Sequence, residues 1–526
     1  MRKKYTLFLL ISTLFLGGFS SCDDFGDLNE DPTKSTGMDP NLLLPSIQMY
    51  LTNDFQEWHR HMMYPGGFVQ QWCGDWGTVE YGCLGIKNSS YMGELWNQRY
   101  TRLAKNITDV IERTKDDPEL VNINALGRIM KVYVYSQLTD MYGDIPYFNA
   151  GQGYYAGVLK PKYDLQEEIY SDFFAQLEMA SQQLDGTKDK ILYDHYYAGN
   201  IEKWRKFANS LRLRLALRLI KVDPQTAQTE AEKAISLGVM QDNGDICVIK
   251  YENVANPSEG PGRGNGLSNR LSAEPRNFRY SRKLISYMEE TTDPRITMYG
   301  RCYLSANRTD VTQQFYNSIG SYTLMARPTS RFDWEENPAP ITITVDGSNV
   351  AVDGKYQYLQ PSAWLTAYNA PYINMSYAEV ELLLAEAAHR GWTVNGSADT
   401  HFQNALRASV EQMTLYGIPA VSESVIQSFI NNNPLLPGSA LEQINMQLWV
   451  GHTFNPFEAF ANWRRSNFPE ITFLNFDPTR NQSNGMTPRR ILYPQEEQIK
   501  NEDHYREAID RVPGYDWTIG VWWDKI

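Results

Sequence analysis

Residues 200–238 read NIEKWRKFANSLRLRLALRLIKVDPQTAQTEAEKAISLG, and this stretch decides the fold class. Its large apolar side chains recur at three- and four-residue steps from Trp204 to Leu215, which is the spacing of one helix face. Asp223 before Pro224 suits a helix N-cap and first position, and Gly238 suits a C-terminal stop. The stretch therefore predicts two helices joined by a short turn, an αα-hairpin.

A second hairpin follows the same plan. Residues 376–390 read SYAEVELLLAEAAHR and stop at Gly391, and residues 398–416 form the partner before Gly417. Further helices are predicted at 42–54, 92–114, 123–141, 164–184 and 439–449. Paired helices of this length are typical of tetratricopeptide-type repeats, so we expect a mainly α fold, an αα-superhelix with little β structure.

Two long segments interrupt the helices, at about 64–91 and 240–360. The first is rich in Gly and aromatic residues, and the second contains a Gly-, Pro- and Asn-rich run at 253–275 that we interpret as loop. Residues 341–345 (ITITV) alternate like a short strand, and residues 242–245 (DNGD) predict a tight turn before a strand. We expect one helical domain over 41–526 that carries both insertions.

The bulk composition bears on the ligand class and on what holds the domain together. The chain has 526 residues and a formal net charge of −13, which argues against nucleic acid as a ligand. Besides Cys22 there are four cysteines, too few to hold a domain of this size together. Cys73 and Cys83 are close enough in sequence to close a short loop, and the sequence leaves open whether they do.

The N-terminus has the order of residue types that is typical of an export signal. Basic residues 2–4 precede an apolar stretch at 5–19, and two serines stand directly before Cys22. We predict a lipoprotein signal peptide over 1–21, lipidation of Cys22, and an acidic spacer over 22–40. The apolar stretch is short for a membrane-spanning helix.

No motif for catalysis emerges. The seven histidines include no HExxH arrangement, and the chain lacks a GxSxG elbow and a phosphate-binding loop. The pair His59 and His61 lacks further ligands at metal-site spacing. We predict no enzyme activity and no cofactor, with a structural calcium ion left open.

Several short motifs, in this order and spacing, resemble the SusD/RagB family of outer-membrane nutrient-binding lipoproteins, most closely its SusD-like subgroup. They are LNEDPT at 28–33, YGDIPY at 142–147, KYD at 162–164, EEIY at 167–170, KWRKFANSL at 203–211, RLALR at 214–218, YAEV at 377–380, LAEA at 384–387, ANWRR at 461–465 and TPRRILYP at 487–494 with Glu497 and Asn501. We interpret most of these residues as structural. Gly143 and Pro146 would end a helix, and Arg464 and Arg465 would pair with carboxylates between helices.

The resemblance implies a surface-exposed, lipid-anchored protein of the cell outer membrane. Such proteins bind an oligosaccharide, or in some members a peptide, and act as the lid of a SusC-like TonB-dependent barrel transporter for nutrient uptake. The alternatives are a peptide-binding member of the same family, a surface glycoside hydrolase, and an adhesin-like lipoprotein that holds a protein partner.

Ligand contacts are predicted in the two insertions, because sugar rings stack on aromatic side chains and their hydroxyls need polar partners. The predicted residues are Trp72, Trp76, Tyr81, Arg263, Asn265, Arg331 and Trp334. The alternative for each ring is that it packs its insertion onto the helical scaffold.

Overall fold

The computed structural model describes residues 39–74, 78–273, 278–301, 341–345, 348–352, 359–473 and 478–525. The fold is mainly helical, as the periodicity predicted. The described residues form helices α1 Leu43–Tyr50, α2 Glu57–His61, α3 Ser89–Gln98, α4 Lys105–Thr114, α5 Val121–Tyr142, α6 Gly153–Ala156, α7 Gln166–Gln183, α8 Ile201–Arg218, α9 Pro224–Leu237, α10 Gly266–Ala273, α11 Arg282–Glu290, α12 Ile296–Tyr299, α13 Tyr377–His389, α14 Ala398–Glu411, α15 Glu423–Asn432, α16 Ala440–Gly451, α17 Pro456–Ser466, α18 Glu497–Lys500 and α19 Glu502–Asp510.

Both predicted hairpins are present, as α8 with α9 and α13 with α14. Asp223 caps α9 by accepting a hydrogen bond from the backbone N–H of Thr226 at 3.0 Å, and Pro224 is the first helical residue. Gly238 follows α9 with φ of +91°, a conformation that glycine adopts without steric cost. The local residue chemistry therefore sets the bounds of the first hairpin.

The other predicted helices are also present, with shifted ends. The predicted helix 92–114 is α3 and α4 joined by a π-helical segment, Arg99–Ala104. The predicted helix 42–54 ends earlier, at Tyr50, and a 3-10 turn precedes it. Gly143 ends α5 with φ of +89°, as the YGDIPY motif suggested.

The loop interpretation of 253–275 is wrong in its second half, where α10 lies. The side-chain oxygen of Asn265 accepts from Ser268 N at 3.1 Å, so a polar residue within the Gly-rich run starts a helix. Leu267 and Leu271 are then buried in the core. Tertiary burial outweighed the weak helix propensity of the segment.

Strands are short and pair two by two. They are β1 Trp72–Gly74, β2 Cys247–Ile249, β3 Phe278–Tyr280, β4 Gly300–Arg301, β5 Ile341–Val345, β6 Ser348–Val352, β7 Gln360–Pro361 and β8 Tyr372–Met375. Among the described residues the antiparallel pairs are β1 with β3, β2 with β8, β4 with β7, and β5 with β6. The strand predicted at 341–345 is confirmed, and so is the turn at 242–245 before β2.

One continuous apolar core runs through the helices, and buried charge pairs cross it. Arg214 on α8 donates from Nε and Nη2 to the two carboxylate oxygens of Glu379 on α13, at 2.6 and 2.7 Å. Arg218, one turn further along α8, pairs with Asp140 on α5 and with Glu458 on α17. These contacts tie the first hairpin to three other helices.

A further buried charge pair joins α17 to α13. Arg465 donates from its two terminal nitrogens to Glu386 at 2.7 and 2.9 Å, as the sequence predicted for this arginine. The same prediction is wrong for Arg464. Its guanidinium donates to the backbone oxygen of Arg489 at 3.0 Å and lies over the Trp523 ring, 4.7 Å from the centroid.

Burial alone would raise the pKa of Glu386, but the Arg465 and Arg390 guanidinium groups together outweigh burial and lower the pKa to about 2. Glu379 behaves in the same way beside Arg214, and its pKa is also lowered to about 2. Both carboxylates are therefore ionised in the folded protein at neutral pH.

Within the described part of the chain, no helix has the length and apolar character needed to cross a membrane.

Replacing Arg465 by Met should lower the free energy of unfolding by about 3–5 kcal/mol, because the buried Glu386 carboxylate loses its main partner. Urea unfolding followed by circular dichroism measures this loss. Adding Glu386→Leu to Arg465→Met should restore most of the stability. Arg407→Met, which breaks a partly exposed pair with Glu423, is the control and should cost far less. Equal losses in the two single variants would contradict the assignment.

Stability should also fall in acid. A carboxyl whose pKa is lower in the folded than in the unfolded chain stabilises the fold above its unfolded value, near 4.5, and this contribution is lost as the pH falls toward about 2. The urea midpoint should therefore decrease between pH 5 and pH 3. The decrease should be smaller in Arg465→Met/Glu386→Leu, and an identical decrease in both proteins would refute a role for Glu386.

Candidate functional site

Trp72, a predicted sugar-stacking residue, is fully buried. Its indole Nε1 donates to Thr453 O at 2.7 Å, and its ring packs against Tyr280 and Phe454 with centroids 4.8 and 5.4 Å apart. No face of the ring is open to a ligand in this structure. The packing alternative considered for this tryptophan is therefore the one that the structure favours.

The other described candidates have separate environments. Asn265 is buried, and its amide nitrogen donates to Ala370 O at 2.9 Å while its oxygen caps α10. Arg263 is exposed and pairs with Glu252 at 2.8 Å. Tyr81 is half-buried, with its ring 5.0 Å from that of Tyr91. Of these side chains, Tyr81 and Arg263 are the ones that solvent reaches.

Four predicted functional residues lie outside the described residues. They are the lipidation site Cys22 and the candidate ligand contacts Trp76, Arg331 and Trp334. Cys73 and Cys83 are described, and no disulfide joins them. The Cys73 sulfur lies 3.6 Å from Tyr280 O, and the Cys83 sulfur lies 3.6 Å from Trp72 O.

The structure contains a cavity that the sequence did not reveal. Its volume is about 40 Å³, and its walls come from segments that are far apart in the chain. We call it the central cavity. Its walls are the start of α10, the end of α12, β8 with the start of α13, the 3-10 turn Gln412–Tyr416, and the residues between α16 and α17.

Helix caps and turns position the residues that line the central cavity. The Ser376 side chain caps α13 by accepting from Glu379 N at 3.0 Å, which positions Glu379 in the first turn. The turn that carries Gln412 ends at Gly417, which has φ of +77°. His452 ends α16, and Asn455 stands before Pro456 at the start of α17.

Charge around the central cavity is balanced. Glu379 is held by Arg214, and the Nε2 atom of His452 lies 3.2 Å from Glu379 Oε2. Burial lowers the pKa of His452, and the attraction of Glu379 offsets only part of this effect. The imidazole is therefore neutral near pH 7, and the Glu379 carboxylate is matched by one guanidinium.

Aromatic rings supply much of the remaining wall: Tyr299, Tyr372, Tyr416 and Phe454. The Tyr372 hydroxyl is 3.0 Å from His61 Nε2, and the Nδ1 atom of His61 is 2.9 Å from Glu57 O. Burial lowers the pKa of His61 to about 3, so this ring is also neutral. The two contacts fix the orientation of the Tyr372 ring at the wall.

The central cavity thus combines apolar rings, amide side chains and a neutral imidazole. Such a lining can hold an uncharged polar group by stacking and hydrogen bonds. No group of three or more His, Cys, Asp or Glu side chains suited to a metal ion occurs in the regions that the structure describes. Sequence reasoning missed His452 and Asn455 because no spacing motif links them to Gln412. The one sequence feature that could have indicated a functional role for these two residues is their position in the short connection between two helices.

Comparison with known proteins identifies the family. A family model described as "Starch-binding associating with outer membrane", SusD-like, matches residues 32–494. No curated protein matches the chain.

Solved structures agree with this match over nearly the whole chain. A chitin-binding protein is 34% identical, with a TM-score of 0.78, and the alignment covers 93% of this chain and 100% of that one. A Bacteroidetes AC2a SusD-like protein is 30% identical, with a TM-score of 0.83 and coverage of 93% and 100%. A chitin-binding SusD homologue from Flavobacterium johnsoniae, at 24% identity, TM-score 0.69 and coverage of 92% and 97%, shows the same fold.

The motif order, the helical fold and these matches lead to one conclusion: the chain belongs to the SusD-like family of the SusD/RagB proteins.

Proposed function

We propose that the protein is a surface lipoprotein that binds an oligosaccharide and acts as the lid of a SusC-like, TonB-dependent transporter in the outer membrane. The observation that carries this proposal is the 34% identity to a chitin-binding protein over that protein's full length. The family description, which names starch binding and association with the outer membrane, points the same way.

The domain plan follows from the sequence. A signal peptide over 1–21 directs export, lipidated Cys22 anchors the chain, and the acidic spacer 22–40 separates the anchor from the helical domain over 41–526. Several acyl chains on one residue hold a soluble domain at a membrane more firmly than one chain does. The lid can then stay beside its transporter while it moves.

Binding and movement are sufficient for this function. A ligand contacted by both the lid and the barrel favours the closed arrangement by its differential affinity for the closed and open states. The buried charge pairs between α8, α13 and α17 support a helical body that moves as a unit. We propose no bond-breaking step and no catalytic residue.

The primary glycan contacts are proposed in the two insertions. Trp76, Arg331 and Trp334 retain their predicted roles, and the solvent-accessible Tyr81 and Arg263 are available to extend the surface. Trp72 and Asn265 contribute by supporting this region, because both are buried and fully engaged with neighbouring backbone or rings.

Because the two rings are proposed to stack on sugar, replacing Trp76 and Trp334 by Ala should lower oligosaccharide affinity at least ten-fold and leave the melting temperature unchanged. Isothermal titration calorimetry and thermal unfolding measure the two effects. Trp72→Ala is the matched comparison. It should lower the melting temperature markedly, because removing a fully buried tryptophan leaves a cavity.

Undiminished affinity in the Trp76 and Trp334 double variant would refute the placement of the site. Release of new reducing ends from the bound oligosaccharide, if it tracked with the purified protein, would support the hydrolase alternative instead. Preferential binding of peptides over glycans would move the protein to the peptide-binding members of its family.

The anchor and the partner can be tested together. Cys22→Ser should abolish labelling by radioactive palmitate and release the protein from the outer-membrane fraction, because the acylated thiol is lost. Purification of the wild-type protein from detergent-solubilised outer membranes should bring down a large barrel subunit. Unlabelled wild-type protein, or protein purified without a barrel, would contradict the corresponding part of the proposal.

A further inference from the structure

The Gly- and Pro-rich segment 252–265, which we call the Arg263 loop, is closed by the side chain of Asn256. The Nδ2 atom of Asn256 donates to Gly264 O at 2.9 Å and to Asn53 O at 3.0 Å, and its Oδ1 atom accepts from Gly264 N at 2.7 Å. Asn256 is 9% exposed. One buried amide thus uses both ends of its side chain to join the start of the loop to its end.

The turn between α1 and α2 holds the backbone of the same loop. Asn53 O accepts from Gly262 N at 2.9 Å, and Asn53 Nδ2 donates to Gly262 O at 2.8 Å. Asp54 and Pro261 form an antiparallel bridge. Because these backbone groups are hydrogen-bonded to a neighbouring turn, the loop is held in one shape despite its content of Gly and Pro.

Two glycines allow the loop to pack this closely. A Cβ atom on Gly262 would lie 2.0 Å from Asn256 Oδ1, and one on Gly264 would lie 2.4 Å from Val254 O. Both distances are far shorter than van der Waals contact, so these positions require a residue without a side chain. Close packing around one amide therefore explains the glycines of the run at 260–266.

The loop displays Arg263 between these two glycines. Glu252 N donates to Arg263 O at 3.0 Å, and the Arg263 guanidinium pairs with the Glu252 carboxylate at 2.8 Å. The two side chains are 69% and 55% exposed, so both are open to a ligand. A guanidinium beside a carboxylate offers donors and acceptors at one place, which suits adjacent hydroxyl groups of a sugar.

We propose that Asn256 is a positioning residue for ligand binding, which holds the loop in the shape that presents Arg263 and Glu252 together to sugar hydroxyls. This inference rests on the proposed glycan-binding function, and adds to it Glu252 and the residue that positions the pair. A loop that is fixed before the ligand arrives loses little freedom on binding, so its polar contacts contribute more to affinity. Asn256 is buried and acts through the pair.

Hydrogen–deuterium exchange on the mature protein tests the positioning role without a ligand. Asn256→Ala should raise deuterium uptake in residues 257–264, because Gly264 N–H loses its acceptor and two backbone oxygens lose a donor. Uptake in α8 should not change. Unchanged uptake in 257–264 would show that the loop keeps its shape without this amide, and the inference would fail.

A double-mutant cycle tests whether Asn256 acts through Arg263. The probes are soluble oligosaccharides of β-1,4-linked N-acetylglucosamine and of α-1,4-linked glucose, and calorimetry measures the affinity for each. Arg263→Ala and Asn256→Ala should each lower the affinity for the bound probe about three-fold or more, as loss of a hydrogen bond does. In the Arg263→Ala protein, adding Asn256→Ala should cause little further loss, because the guanidinium that it positions is gone.

Asn433→Ala is the matched control. The Asn433 amide also donates to two backbone oxygens, those of Thr291 and Phe429, each at 2.8 Å. This variant should lower the melting temperature about as much as Asn256→Ala does and leave the affinity unchanged. Equal losses of affinity in these two variants, or additive losses from Asn256→Ala and Arg263→Ala, would mean that Asn256 is merely structural.

The outcomes separate this inference from the function on which it rests. Undiminished affinity in Asn256→Ala would overturn the positioning role while glycan binding stands. A wild-type protein that binds neither probe, nor any other glycan, would count against the proposed function itself.

Discussion

The fold depends on charge pairs that are buried where helix pairs cross. Arg214 and Glu379 join the first hairpin to the second, and Arg465 and Glu386 join α17 to the second hairpin. Arg218 connects the first hairpin to α17 through Glu458. The three charge pairs connect α8, α13 and α17 to one another, and we call them the circuit. Removing one partner of a pair is costly, because the remaining buried ion has lost its hydration and has no opposite charge to compensate. Apolar packing supplies the driving force, and the three charge pairs lie where these helices meet.

These charge pairs also position part of the wall of the central cavity. Glu379 is at once a member of the circuit and part of the cavity wall, and His452 lies against the same carboxylate. Because Arg214 uses both oxygens of Glu379, the carboxylate is oriented before any ligand arrives. Glu379 thus links the helical scaffold to the wall of the central cavity.

The sequence predicted the helical scaffold well, because its signals are local. Asp223, Ser376 and Gly417 each act on the turn in which they stand, so caps and hairpins could be located without tertiary information. The burial of Trp72 could not be predicted, since it depends on Tyr280 and Phe454, which are distant in sequence. The central cavity was invisible for the same reason. Its Gln412 and His452 carry no shared spacing, and they become neighbours only when the chain is folded.

The charge of Glu379 at the wall of the central cavity is matched by the Arg214 guanidinium. Glu379, whose pKa is lowered to about 2, keeps its negative charge throughout the mildly acidic to neutral range. Dissolved salt has little net charge to screen there. The pairing of Glu379 with Arg214 therefore persists across that pH range.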